Sequence, residues 1–328
     1  MLSASAWRSL ALVAAAFALI YFAMKGKISD IVLGLGIFAL VTIDLWTVNK
    51  HYLNDNSFQE SPTKTYFAAT PADQEIAKDD SYFRVLDLTE GLTSTGKSPY
   101  RFHSLGGYHG AKMRRYQDLL DNRLNFELNG FVKKAQEGEF DFAGIQTINM
   151  MNTKYVIAGT AANSVFENPE ANGPAWVPSQ IVTVQTNQEE MDELGRINTK
   201  AQATVNAAEF GEIKAGSGQI THISYSPNEL KYQAEMDTEG LVVFSEIYYP
   251  VGWTATIDGT EAEILRTDYL LRGLIVPAGT HEIVFKFSPT SYTSTKTPMI
   301  VFQYLIILSL FAGVFFTVKE KRENSTSQ

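Results

Sequence analysis

Apolar residues concentrate at the two ends of the chain. From Ser9 to Met24 the run SLALVAAAFALIYFAM carries no charge, and with Trp7 in front it approaches the ~20 apolar residues needed to cross about 30 Å of hydrocarbon. The run from Ile31 to Val48 is interrupted only by Asp44 near its far end and closes beside Trp46, an interfacial aromatic. Pro298 to Val318 is the third run and the clearest. The pattern predicts membrane helices over 7–24, 31–48 and 298–318. A cleavable signal peptide is the alternative for the first. Its stronger positive cluster, Lys25 and Lys27, follows the run, and a second run begins at once, so a helical hairpin is the better reading.

The loop with Lys25 and Lys27 and the tail with Lys319, Lys321 and Arg322 each lie one span from the middle of the chain, so they share a face. The positive-inside bias makes that face cytoplasmic. Residues 50–296 are then extracytoplasmic, Met1 is outside as well, and 319–328 form a cytoplasmic tail. The expected partner is a lipid bilayer, and the expected location the cytoplasmic (inner) membrane of a bacterium. An outside N-terminus with no span before it suits the C-terminal portion of a longer polytopic chain.

Between the spans the periodicity changes twice. After a connector over 49–80, Thr70-Pro71-Ala72-Asp73 reads as a helix start, with Thr70 as cap and Pro71 at the first helical position. A strand is expected at Tyr82–Leu88. A Gly/Ser/Thr-rich stretch (Gly91–Ser98) follows, then a helix over Tyr108–Leu124 with Met113, Tyr116, Leu119, Leu120 and Leu124 at helical spacing. A helix at Ala143–Met151 ended by Asn152, a strand at Lys154–Ala158, another at Trp176–Gln185 and a capped helix starting at Asn187 complete an α+β region over 49–200. From Ala201 onward short strands recur: 219–225, 229–236, 241–249, 253–257, 261–266, 269–276 and 281–287, with a tight turn at Asp258-Gly259. In the last of these, Ile283, Phe285 and Phe287 share one face. A β-sandwich over 201–296 is the natural closure. The expected fold class is a membrane protein of three transmembrane helices with an extracytoplasmic α+β region followed by a β-sandwich.

Composition adjusts this picture at three points. The mean hydropathy of −0.09 averages over the apolar ends and an ordinary globular middle. A net charge of −9 without a long Lys/Arg block excludes a nucleic-acid surface. The absence of cysteine removes disulfides, thiolate metal sites and cysteine nucleophiles together. No nucleotide, zinc-protease or serine-hydrolase signature is present, and the five histidines are scattered, so neither a metal site nor a cofactor is expected.

Two places carry candidate chemistry. Asp44 is the one ionisable residue well inside an expected span, which makes it a candidate intramembrane acid, unless it reaches interfacial water from its place near the outer end. The second is Gly106-Gly107-Tyr108-His109 with Lys112 and Arg115: two glycines before a cationic helix could offer N–H groups and positive charge to a phosphate or other anion. The plain alternative is a turn and an amphipathic helix whose cations pair with surface carboxylates. Tyr248-Tyr249-Pro250 and Trp253 would suit sugar stacking, or serve as sandwich core.

Several of these segments, in their order, resemble the C-terminal part of the bacterial YfhO-like membrane proteins: Asp44-Leu45-Trp46, Phe83-Arg84-Val85-Leu86-Asp87-Leu88, Gly106-Gly107-Tyr108-His109 with Lys112 and Arg115-Tyr116, Met150-Met151-Asn152-Thr153-Lys154-Tyr155, Ala175-Trp176, Tyr248-Tyr249-Pro250 with Gly252-Trp253, and Val276-Pro277-Ala278-Gly279. The resemblance covers almost the whole chain. That family looks like C-type membrane glycosyltransferases, which move sugar from a polyprenyl-phosphate carrier to an envelope acceptor. The resemblance implies a membrane anchor and extracytoplasmic domain contributing to cell-envelope glycosylation, with a polyprenyl-phosphate sugar or envelope glycan as partner. Such enzymes carry more spans and an acidic residue in an early outside loop that has no counterpart here, so the catalytic residues stay unassigned. The alternatives are a non-enzymatic polysaccharide-binding surface module and a scaffold subunit docking to another polytopic membrane protein.

Overall fold

The computed structural model describes residues 2–58, 62–94 and 96–326. The middle of the connector (59–61), Thr95 of the Gly/Ser/Thr-rich stretch, Met1 and the last two residues of the tail lie outside the described residues. The chain divides after Ala68 into two units.

The first unit is a helical hairpin, α1 (Leu2–Met24) and α2 (Asp30–Tyr52), followed by a short α3 (Pro62–Tyr66). Gly26, at φ 67, closes α1 in the left-handed conformation glycine adopts without strain, and Ser29 caps α2 through Val32 N–H. Gly36 lets the helices approach: a Cβ there would sit 2.7 Å from Leu19 Cδ1. Large apolar side chains such as Phe17 and Phe38 point outward. Three helices are long and apolar enough to cross a membrane: Ala6–Met24, Asp30–Tyr52 and Thr290–Thr317. The second extends past its expected limits at both ends, and the third begins eight residues before its expected start.

The second unit begins with α4 (Pro71–Ile76), where Thr70 is the cap as expected and Asp73 completes a reciprocal capping box with it. A first sheet pairs β1 (Arg84–Asp87) in parallel with β2 (Thr153–Ile157), which pairs with β3 (Val165–Glu167). Between β1 and β2 lie α5 (Lys97–Arg101) and a continuous helical stretch made of α6 (Arg114–Leu119), a π-helical turn over Leu120–Leu124 and α7 (Asn125–Gln136), and then α8 (Gln146–Met150). The expected helix over Tyr108–Leu124 is corrected at both ends. Met113 is extended (φ −62, ψ 135) and caps a helix that starts only at Arg114, whereas buried Phe131 continues the apolar stripe beyond Leu124. The expected helix over Ala143–Met151 is confined to Gln146–Met150, and Asn152 follows it in the left-handed conformation (φ 57).

The expected strand at Trp176–Gln185 is two strands, β4 (Ala175–Trp176) and β5 (Gln180–Val184), separated around Pro178, which lacks an N–H for a ladder. After β5 comes α9 (Asn187–Glu193), capped by Thr186 and not by Asn187, then β6 (Gln202–Asn206), parallel to β5, and α10 (Ala207–Phe210).

The sandwich strands follow: β7 (Ser217–Ser226), β8 (Glu229–Thr238), β9 (Gly240–Ile247), β10 (Trp253–Ile257), β11 (Thr260–Ala262), β12 (Leu265–Thr267), β13 (Leu271–Val276) and β14 (Gly279–Phe287). One sheet has the order β11-β10-β14-β8-β7, the other β12-β13-β9-β4. The expected strand over 261–266 therefore splits, its first part in one sheet and its second in the other. The expected strand over 269–276 starts only at Leu271, because Asp268 and Tyr269 form a left-handed turn (φ 47 and 64).

Strand β9 explains the packing. Val242 and Phe244 meet Leu230, Tyr232, Ile283 and Phe285 of the facing sheet. Leu241 and Val243, on the opposite face, join a core shared with Leu119, Met151 and Leu194. A strand buried on both faces needs a continuous apolar run, and Leu241-Val242-Val243-Phe244 is one. Position 200 is thus not a break in packing: the α+β residues and the sandwich share that core, and β4 belongs to a sandwich sheet. The unit ends in α11 (Thr290–Thr326), which contains Pro298 instead of starting there.

Candidate functional site

The segment after α5 is held against β1 as an added strand: Val85 N–H donates to His103 O (2.8 Å) and Leu105 N–H to Val85 O (2.9 Å). That places Gly106 against Leu92, whose carbonyl oxygen would lie 2.2 Å from any Cβ at this position. Glycine is required here for close approach. The two glycines do not form an open anion cradle, however. Gly106 N–H donates to Ser104 Oγ (3.2 Å), and Gly107 N–H to Leu92 O (2.7 Å).

What the turn builds instead is one wall of a cleft of about 650 Å³. Leu92, Leu105, Met113 and Met151 give it an apolar interior, and exposed Pro99 and the stretch from Gly106 to His109 with Lys112 form its rim. Tyr108 is 81% exposed, and His109 Nδ1 accepts the Ala111 N–H (3.1 Å). Tyr116 projects from the first turn of α6 into the cleft and donates its hydroxyl to Leu105 O. Burial pushes that phenol up to about 12.

The two cations expected on one helical face are separated. Lys112 precedes the helix, lines the cleft and makes no ion pair among the described residues. Arg115 lies within α6 and places its guanidinium 5.0 Å from the centre of the Tyr269 ring, outside the cleft. Of the six candidate residues, Gly106, Gly107, Tyr108, His109 and Lys112 share the cleft, and Arg115 does not.

At the floor lies Arg84, whose role the pattern of hydrophobicity did not disclose. Its Nη1 donates to Ser245 O (2.7 Å) and Met151 O (2.9 Å), and its Nη2 to Glu246 Oε1 (3.1 Å). The same Glu246 oxygen accepts the Tyr82 hydroxyl (2.8 Å). Burial alone would raise the Glu246 carboxyl; Arg84 and Arg272 outweigh it and hold it below the ordinary value. An arginine inside the otherwise apolar Phe83–Leu86 run was the available signal, because a charge on a short buried strand requires a partner.

On the other side of this ion pair is a second opening of about 930 Å³, with Tyr82, His103, His222 and Tyr225 at its base. Tyr82 stacks on His222 (4.6 Å between ring centres) and on Tyr225 (5.0 Å), and His103 meets Tyr225 edge-on (4.6 Å). Burial lowers both imidazoles, with Arg84 adding to the effect at His103.

A separate buried network joins α9 to the β12–β13 turn. Arg266 binds Glu190 and Glu209, Glu190 also accepts the Tyr269 N–H (2.9 Å), and Asp268 accepts Thr204 N–H (2.7 Å). Burial pushes the Asp268 carboxyl up to about 7, and its second oxygen has no partner among the described residues. No residue of this network lines either opening.

Asp44, the candidate intramembrane acid, pairs with Arg8 of α1 (3.5 Å) and so has a partner within the hairpin. Trp253 packs on the Arg272 guanidinium (4.0 Å) and the Phe287 ring (5.2 Å), so it serves the sandwich and is not open for stacking. Among the described residues no group of three or more His, Cys, Asp or Glu side chains is arranged to hold a metal ion. In comparisons with known proteins the chain matches no family model, no curated protein and no solved structure.

Proposed function

We propose that this chain is a membrane-anchored, YfhO-like envelope module that contributes to cell-envelope glycosylation, with residues 69–289 on the extracytoplasmic side of a bacterial inner membrane. Its cleft beneath Gly106–Met113 holds the isoprenoid-phosphate end of a lipid-linked sugar. The observation that supports this reading is the pairing of an apolar interior with Lys112, a cation without a protein partner at the rim. A ligand that is oily at one end and anionic at the other satisfies both. Among the described residues the lining carries no Asp or Glu, so the reading assigns the cleft binding and no catalytic step.

The test uses the full chain in lipid nanodiscs with farnesyl phosphate as probe and farnesol as its uncharged counterpart. Lys112→Gln should weaken farnesyl phosphate binding by ~tenfold or more, as expected for loss of a charge-assisted bond, and leave farnesol unaffected. Unchanged phosphate binding in that variant would refute the reading. Sidedness is read separately. The chain has no cysteine, so single Glu137→Cys and Glu239→Cys variants, both at exposed positions, should react with an impermeant thiol reagent in spheroplasts. Reaction only after lysis would reverse the orientation.

A further inference from the structure

The second opening is a groove with a chemistry of its own. Its base is an aromatic platform, with Tyr225 42% exposed beside exposed His103. Its walls carry short hydrogen-bonding side chains: Ser81 and Asp80 on one side, Thr221 and Ser224 of β7 on the other, and Glu167 at the end of β3. Asp80 and Glu167 make no ion pair among the described residues, whereas the one cation, Lys154, is neutralised by Asp79 at 2.6 Å. The walls therefore repel an anion. Burial lowers the His103 and His222 imidazoles, which disfavours a positive charge there that would offset this.

A ligand for such a groove must offer an apolar face to the rings and hydroxyls to the walls, without negative charge. Pyranose rings have that form: axial C–H groups make one face apolar, and equatorial hydroxyls point outward from the edge. An extended peptide adding to β7 is the competing occupant, since β7 is the edge of its sheet. The register shift between His222 and Ser224 breaks the regular ladder where the groove runs, and a bulge at an edge blocks strand addition. We infer that the groove between β7 and the Asp80–Tyr82 and Glu167–Pro174 segments binds an uncharged saccharide chain, with the exposed Tyr225 ring as its stacking platform, backed by Tyr82 and flanked by His103. This site lies across the Arg84–Glu246 pair from the Lys112 cleft and does not depend on the function proposed there.

The probes are the neutral hexasaccharides of β-1,4-glucose and of N-acetylglucosamine, the acidic hexagalacturonate, and an alternating Thr-Val hexapeptide, titrated against the full chain in nanodiscs. At least one neutral hexasaccharide should bind, and hexagalacturonate should bind at least ~tenfold more weakly. Tyr225→Ala should lower saccharide affinity by ~tenfold and Tyr225→Phe by less than about twofold, because the ring and not the hydroxyl is the platform. Should Tyr225→Ala shift the unfolding midpoint, Ser224→Trp, at an exposed position, fills the groove and must abolish binding instead. Lys112→Gln must leave saccharide binding unchanged, which separates this site from the first. The inference fails if no neutral hexasaccharide binds, if the peptide binds in their place, or if affinity survives both Tyr225→Ala and Ser224→Trp.

Discussion

The two openings on either side of the Arg84–Glu246 pair differ in almost every chemical respect while sharing one wall. Arg84 faces the apolar cleft, Tyr82 faces the aromatic groove, and both bind the same Glu246 oxygen. The cleft has an apolar lining and one unpaired cation; the groove has stacked rings and unpaired carboxylates. On the readings proposed above, selectivity in each would come from which charge the surrounding fold has already neutralised. Asp79 silences Lys154 in the groove, and nothing among the described residues silences Lys112.

The shared wall gives the largest expected effect. Glu246→Ala leaves Arg84 buried without its carboxylate and removes the acceptor of Tyr82, so urea unfolding should show a loss of roughly 3–5 kcal/mol. Both ligands should weaken together in that variant, whereas each variant confined to one opening moves one ligand only. A loss that spares either ligand would show that the pair is not a common wall.

Asp268 provides a contrast remote from both openings. Its folded pKa of about 7 lies above the ordinary 3.8, so the native state holds a proton that the unfolded chain releases. Its contribution to stability falls as pH rises from about 4 to about 7 and is flat above that. At about 1.4 kcal/mol for each pH unit the total is on the order of 4 kcal/mol. Asp268→Asn mimics the protonated acid and tolerates the left-handed backbone. Its stability advantage over the native chain should therefore grow between pH 5 and 7 in urea titrations, with neither ligand affected. A constant difference across that range would mean Asp268 is ionised in the folded protein.

The smallest effect belongs to Arg115. Removing its contact with Tyr269 by Arg115→Gln should cost about 0.5–1 kcal/mol of stability and leave farnesyl phosphate binding within twofold. Weakening equal to that of Lys112→Gln would restore the single cationic face expected from spacing alone.

The sequence disclosed the features that depend on local pattern. The three apolar helices, the Thr70 cap, the Asp258-Gly259 turn and the alternation of Ile283, Phe285 and Phe287 each follow from a few consecutive residues. The helix starting at Arg114 was misplaced because apolar spacing continues upstream through Met113, while the backbone at Met113 is extended. Gly106 was singled out as part of an anion cradle, whereas the structure shows a steric need for glycine there. Its necessity comes from the Leu92 carbonyl, fourteen positions away in sequence, and no periodicity reports such a contact. Arg84 and Glu246 are separated by most of the folded unit, so their pairing is legible only once β1 and β9 are placed. The aromatic groove was invisible for the same reason: Tyr82, His103, His222 and Tyr225 come from three distant segments.

One measurement addresses the contrast between the two openings directly. Farnesyl phosphate and the neutral hexasaccharide that binds are titrated against the same nanodisc sample at 50 and 500 mM NaCl, each in the presence and absence of the other. Farnesyl phosphate affinity should drop severalfold at high salt, because Lys112 sits at an open rim and its charge is screened. Saccharide affinity should stay within twofold, and neither ligand should displace the other. Mutual displacement, or an equal response to salt, would contradict two openings with opposite charge preference.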